Sequence, residues 1–511
     1  MLPTSVAVPA PAPLSSPDRP VGASAYGLPP QVVGLLLVFS LVGVLTTNPL
    51  LTVAALAVFP LAIALSWRPG EPPVLAFVVA FHWLQATAKV FHANILGVDA
   101  SELIMYPQLG QFADVETASW LTLAAVLVLA VGVRLAIHTQ ERTGEGNLLR
   151  EAEAFSIPRV FWAYLALSFG LTAFYGGLGF WSGYRQIILG VVQIKWAAYF
   201  LLVYLALLRR EGYLFAATAF AIEFISGIGF FSGFKEVVFV TVVTYFAARS
   251  RIEIGTVAKI AVVGVLLMVM GAAWTAVKPQ YRSILSGGSG QQTTVIGQGE
   301  QVAVLYNLVA NLDREDLAEG IEPLAERVAY VDFFGYALGY VPNVVPHQQG
   351  GQWGAAIKHI LTPRILFPDK PALVSDSEVT NTYTGLLVAG VAEGTSISIG
   401  YVGESYVDFG PVWMFVPIFL VGLWRGLMYR FFLRKPEMRL MGFAFIVALF
   451  TLNYQVEAST GFMLGNILMR FIVLSLLFTF VAPRAVRWLQ RGGAEADEAA
   501  EVPVPIRRAW A

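Results

Sequence analysis

Two stretches of this chain carry side chains able to do chemistry. The first runs His359-Ile-Leu-Thr-Pro-Arg364-Ile-Leu-Phe-Pro-Asp369-Lys370-Pro371. Three prolines within nine residues forbid a regular helix or a central strand and stiffen the backbone. Arg364 and Lys370 are thereby presented by a preordered segment. A guanidinium fork suits phosphate oxygens in two-point contact, and a lysine adds a point charge. The competing reading is that both cations snorkel toward lipid headgroups while Asp369 and Lys370 form a turn.

The second stretch is Glu393-Gly-Thr-Ser-Ile-Ser-Ile-Gly400-Tyr-Val-Gly403-Glu404-Ser-Tyr-Val-Asp408-Phe-Gly410. Its small residues let the backbone approach a ligand or a neighbouring helix. Glu404 and Asp408 are four apart, hence on one face if helical. A carboxylate there can act as general base toward a sugar hydroxyl. Alternatively the pair caps a helix or pairs with a basic residue.

A third set lies within an apolar segment. His82, Gln85, Lys89 and His92 follow at spacings of three, four and three, so they line one helix face. At 1.5 Å per residue the polar stripe is roughly 15 Å long. Charges inside a bilayer usually face a cavity or a partner. The plainer alternative has Lys89 and His92 reaching the outer headgroups while His82 and Gln85 bond a neighbouring helix. Other polar groups at membrane depth include Lys195, Glu223, Lys235, Glu236, Asn453, Gln455, Glu457, Asn466 and Arg470. Ser226-Gly-Ile-Gly-Phe-Phe-Ser-Gly-Phe-Lys235 reads as a glycine-rich break that either lines a site or makes a short outer turn. Glu457 and Arg470 are placed to pair.

The elements that must hold these groups follow from composition. The chain is 57% hydrophobic and only 13% charged, which predicts an all-α, polytopic membrane helix bundle. Apolar segments fall at about 31–47, 50–67, 73–95, 118–137, 159–179, 187–208, 213–230, 234–248, 257–277, 410–429, 440–457 and 463–482. The expected organisation is a disordered cytoplasmic tail (1–30), spans one to nine (31–277), an extracytoplasmic loop (278–409), spans ten to twelve (410–482) and a cytoplasmic tail (483–511). The first 30 residues lack the basic start of a signal peptide.

Short loops on one side hold Arg68; Arg142 and Arg150; Arg209 and Arg210; Arg249, Arg251 and Lys259; and Arg434, Lys435 and Arg439. The positive-inside rule makes that side cytoplasmic, along with both termini. The long loop, with 7 basic and 14 acidic residues, then faces outward. Absent cysteines exclude disulfides, thiolate catalysis and thiolate metal sites. The five histidines spell no metal motif, so the expected metal set is none. A net charge of −1 suggests no nucleic-acid partner.

Within the loop, 278–301 reads as a flexible entry. Leu317, Ile321, Leu324, Val328 and Val331 then recur with helical spacing. That predicts an amphipathic helix on the outer membrane face, with Pro323 at a helix start.

These residues carry a resemblance. A many-span chain with a large outer loop late in the sequence resembles the oligosaccharide repeat-unit polymerases, the Wzy-type O-antigen and exopolysaccharide polymerases. The Pro-Arg-Ile-Leu-Phe-Pro-Asp-Lys-Pro segment is the most specific match. The Gly-Tyr-Val-Gly-Glu-Ser-Tyr-Val-Asp-Phe-Gly stretch is similar to the family's pattern entering the next span, and the Ser-Gly-Phe-Lys break matches more weakly. The resemblance implies a metal-independent glycosyltransferase of the bacterial cytoplasmic membrane, with no cofactor. Such enzymes join repeat units carried on undecaprenyl pyrophosphate, moving the growing chain onto a hydroxyl of the incoming unit. It implies membrane lipid, a flippase and a chain-length regulator as partners.

Cations must then hold the pyrophosphate, and Arg364, Lys370, Arg282 and Lys89 suit that role. A base must take the hydroxyl proton, and Glu404 suits it, with Asp408 or His359 as substitutes. His82, Gln85, His92 and Lys235 are expected to line a polar channel. Two other readings compete. A secondary transporter fits broken helices and buried charges, although no internal repeat is visible. Another lipid-linked glycosyltransferase, such as an O-antigen ligase, fits the same topology.

Overall fold

The computed structural model describes residues 38–490 except 69, 104–112, 140–144, 177–184, 229–232, 250–253, 290–293, 364–365, 368, 391–395 and 452–456. The described residues are helical, and they contain no strand beyond an isolated bridge between Phe155 and Gln490. Among the described residues, seven helices are long and apolar enough to cross a membrane. Two shorter apolar helices, Ile157–Leu171 and Tyr213–Ser226, lie beside them.

The first half of the bundle is built on α1 (Pro49–Ser66), α2 (Val74–Leu96) and α3 (Val115–Ile137). A short connector, α4 (Glu145–Ala154), leads to α5 (Ile157–Gly176), α6 (Arg185–Val192) and α7 (Ile194–Arg209). The segment expected at 187–208 matches the apolar stretch Ile187–Arg209, within which α6 gives way to α7 at Gln193. Then come α8 (Tyr213–Ser226), α9 (Phe234–Ala247) and the 32-residue α10 (Ile254–Leu285). Helix α10 runs on past the expected end at 277 and through Pro279. Trp274, Val277, Tyr281 and Leu285 explain the extension, because Phe234 and the next helix give them apolar cover.

The segment expected to be an outer loop is mostly helical. It holds α11 (Gln298–Ala310), α12 (Arg314–Val328), α13 (Val331–Tyr340), α14 (Gly351–Leu361) and α15 (Asp376–Thr384). It is followed by α16 (Gly400–Trp413), α17 (Phe415–Phe432), α18 (Arg439–Phe450), α19 (Thr460–Leu476) and α20 (Ala482–Leu489).

Helix α12 starts at Arg314, not at Pro323. Asp313 and Asp316 close a reciprocal capping box there, satisfying two backbone donors. Pro323 sits inside the helix. The helix also does more than lie on a surface, because it packs against α10. A Cβ on Gly320 would stand 2.4 Å from the Ala272 carbonyl oxygen, and Leu324 packs on Gly271.

The tightest packing is between α3 and α17. A Cβ on Gly422 would lie 2.2 Å from the Leu129 carbonyl oxygen, and one on Gly132 would lie 2.4 Å from that of Phe419. With Gly426 against Ala136, this is the small-residue interface that lets membrane helices touch backbone to backbone. Every residue of α18 is buried, as expected for a helix apolar on all sides. By contrast α10 exposes Val262, Val265, Leu266, Met268 and Val269, a face suited to lipid.

Between α16 and α17 the chain kinks. Gly410 takes φ 73° and ψ −177°, a conformation open to glycine, and Pro411 follows.

Candidate functional site

A cavity of about 1060 Å³ opens where α10, α12 and the start of α13 meet the chain around 376, 396–398 and 457–462. From α10 come Lys278 and Arg282, one turn apart on the same face. From α12 come Asp316, Glu319, Pro323, Glu326 and Arg327. Tyr330, Phe333, Asp376, Ser398, Glu457 and Ser459 complete the wall used here. The charges of Lys235, at the start of α9, and of Lys278, Arg282 and Arg327 act on one another. Such a concentration of cation is costly unless an anion or a set of carboxylates shares the space.

Glu457 supplies one carboxylate. It lies between α18, which ends at Phe450, and α19, which starts at Thr460. Gln85 Nε2 donates to its Oε2 at 2.7 Å. Burial raises its carboxyl above the ordinary value, while Gln85 and the charges of Arg327 and Lys235 oppose that. A carboxylate so placed is a candidate proton acceptor. The expected pairing of Glu457 with Arg470 is not what the fold makes, because Arg470 feels the charge of Glu236 instead.

The wall opposite α10 is held by a tyrosine. The Tyr330 hydroxyl donates to the Ser398 carbonyl and accepts from its N–H. Asp376 accepts from Ser396.

Of the residues singled out in the sequence, Arg282 lines the cavity, Lys235 adds its charge beside it, and Gln85 reaches it through Glu457. The other members of the α2 stripe serve different neighbours. His82 holds the Val78 carbonyl with Nδ1 and meets the Tyr401 hydroxyl with Nε2 at 2.8 Å. Beyond Tyr401 stands the buried Arg425 of α17. Lys89 donates to Asp332 Oδ2 on α13 at 2.7 Å, both side chains being 1% exposed. Burial raises the Asp332 carboxyl to about 6, with Lys89 opposing. His92 keeps a buried Nδ1 with no hydrogen-bond partner among the described residues.

The two carboxylates of α16 act as helix caps. Glu404 accepts from the Thr460 N–H at the start of α19 at 2.8 Å. Its burial raises the carboxyl to about 7, with Thr460 opposing. Asp408 accepts from the N–H groups of Gln352 and Trp353 at 3.0 and 2.8 Å, at the start of α14. Neither lines the cavity.

Lys370 donates to the His359 carbonyl at 2.7 Å, so it closes the C-terminal end of α14. His359 belongs to that helix and also lies off the cavity. Arg364, with Glu393, Asn453 and Gln455, lies outside the described residues. Lys278, Arg327 and Asp376 were not singled out by sequence. Arg327 reads there as one charge on the polar side of an amphipathic helix, and nothing local marks it out.

The fold and this cavity define an all-helical membrane protein with a charged, water-accessible chamber beside its bundle. Residues 106–487 match the family described as a domain of unknown function (DUF8712), and the chain belongs to that family. No curated protein and no solved structure matches it.

Proposed function

We propose that the chain is a polysaccharide polymerase of the bacterial cytoplasmic membrane. It joins oligosaccharide repeat units carried on undecaprenyl pyrophosphate, at the outer membrane face. In this reading the chain makes twelve spans, keeps both termini in the cytoplasm and turns the 278–409 region outward. The observation that carries it is the cavity that brings Lys278, Arg282 and Arg327 together with Glu457. Its size suits a ligand larger than a single sugar.

The chemistry needs two kinds of group, and both are present. A hydroxyl of the incoming unit attacks the anomeric carbon of the growing chain. The bond from that carbon to the pyrophosphate oxygen breaks. Arg327, Arg282 and Lys278 take up the charge that develops on the departing pyrophosphate. The hydroxyl proton passes to the Glu457 carboxylate. Glu457 suits the base role better than Glu404 or Asp408, which are committed to capping helices.

Deletion followed by surface-polysaccharide analysis tests the proposal. Lipid-linked single repeat units accumulate and long polymer disappears if it holds. Polymer of unchanged length overturns it.

A further inference from the structure

We propose that Gln85 is a positioning residue for this transfer, its amide orienting the Glu457 carboxylate at the cavity wall. The inference rests on the polymerase reading of the cavity. Gln85 is 1% exposed, and its Nε2 lies 2.7 Å from Glu457 Oε2. The two residues are 372 positions apart, so only the fold brings them together.

Gln85 is itself held firmly. Ala86 and Val90 beside it on α2 are fully buried in a small apolar cluster. Three residues before it, His82 is bound to Tyr401, and four after it, Lys89 is bound to Asp332. The face of α2 that carries Gln85 is thus anchored on both sides, which fixes where the amide sits. Glu457 lies outside both neighbouring helices, after the end of α18 at Phe450 and before the start of α19 at Thr460.

The choice of an amide has a chemical consequence. A neutral N–H donor occupies one carboxylate oxygen without cancelling its charge, so Oε1 remains to take a proton. A lysine in the same place would neutralise the base. Arg327 and Lys235 are the charged groups that act on Glu457, and Gln85 is the neutral one. Removing the amide takes away a hydrogen bond to the charged form, so the carboxyl becomes a weaker acid.

The test uses purified full-length protein in liposomes, with lipid-linked units extracted from the deletion strain, over a range of pH. Gln85→Leu should lower kcat about 10- to 100-fold with little change in KM. Its acid limb should move up by roughly one pH unit. Gln85→Met, closer in volume, provides the same readout if the leucine variant does not fold. Unchanged inorganic pyrophosphate affinity in either variant shows that the cationic wall is intact. A variant with the wild-type acid limb and kcat overturns the positioning role and leaves the polymerase reading standing. Absence of polymer from the wild-type protein removes that reading itself.

Discussion

The ammonium of Lys89 lies 2.7 Å from Asp332 Oδ2, and the second oxygen of that carboxylate is buried with no hydrogen-bond partner among the described residues. This pair ties α2 to α13, whose first turn forms part of the cavity wall. Removing one partner strands the other as an uncompensated buried charge. Lys89→Met should therefore destabilise the protein by about 3–5 kcal/mol, while Lys89→Met with Asp332→Leu should recover most of it. Thermal denaturation of the three proteins checks this. Equal losses in the single and double variants would refute it.

The glycines between α3 and α17 make a second prediction. Gly422 stands against the Leu129 carbonyl, with no room for a side chain. Gly422→Leu must separate the helices, at a cost of about 3 kcal/mol or more. Yield of folded protein in membranes and its melting temperature should both fall. A leucine at the lipid-facing position 266 is already native, so apolar bulk alone is not the issue.

Glu404 gives a pH dependence whose sign can be worked out. Its folded carboxyl is raised to about 7 from an ordinary value of 4.5. The stability it contributes is therefore complete below about 4.5 and is lost as pH rises through about 7. Glu404→Gln keeps an acceptor for the Thr460 N–H but carries no charge. It should melt a few degrees above wild type at pH 8, with the difference vanishing toward pH 5. Melting curves across that range decide it. A variant less stable than wild type at pH 8 would show that the ionised cap is favourable.

The cationic wall predicts binding. Arg327→Ala and Lys278→Ala should each weaken inorganic pyrophosphate about 10- to 100-fold, since a hydrogen bond to a charged group contributes about 1.5–3 kcal/mol. Added salt should reduce wild-type affinity. Titration calorimetry on the protein in nanodiscs measures both. Lys370→Ala, which frees the end of α14 and lies off the cavity, should leave affinity unchanged.

Much of the helical layout was legible because apolar runs of this length have few other uses. The segments expected at 50–67, 73–95 and 118–137 coincide with α1, α2 and α3. What failed was local. The segment expected as loop from 278 starts as about two more turns of α10, since Tyr281 and Leu285 find apolar cover that only the fold supplies.

The site was legible in type and not in arrangement. The α2 stripe reads correctly as one face, yet its partners lie at Asp332, Tyr401 and Glu457. Separations of 243, 319 and 372 residues leave no pattern in a single sequence. The proline-rich segment drew attention through its unusual chemistry. Yet its Lys370 closes a helix, while the less conspicuous Arg327 stands in the cavity.

The contact of Gly320 with the Ala272 backbone has a mechanical meaning. It fuses α12 to α10, so Arg327 and the Lys278/Arg282 pair belong to one stiff jaw. On the facing side the Tyr330 hydroxyl holds the Ser398 backbone. A glycine weld on one side and a phenol bridge on the other thus set the chamber's walls by two different kinds of joint.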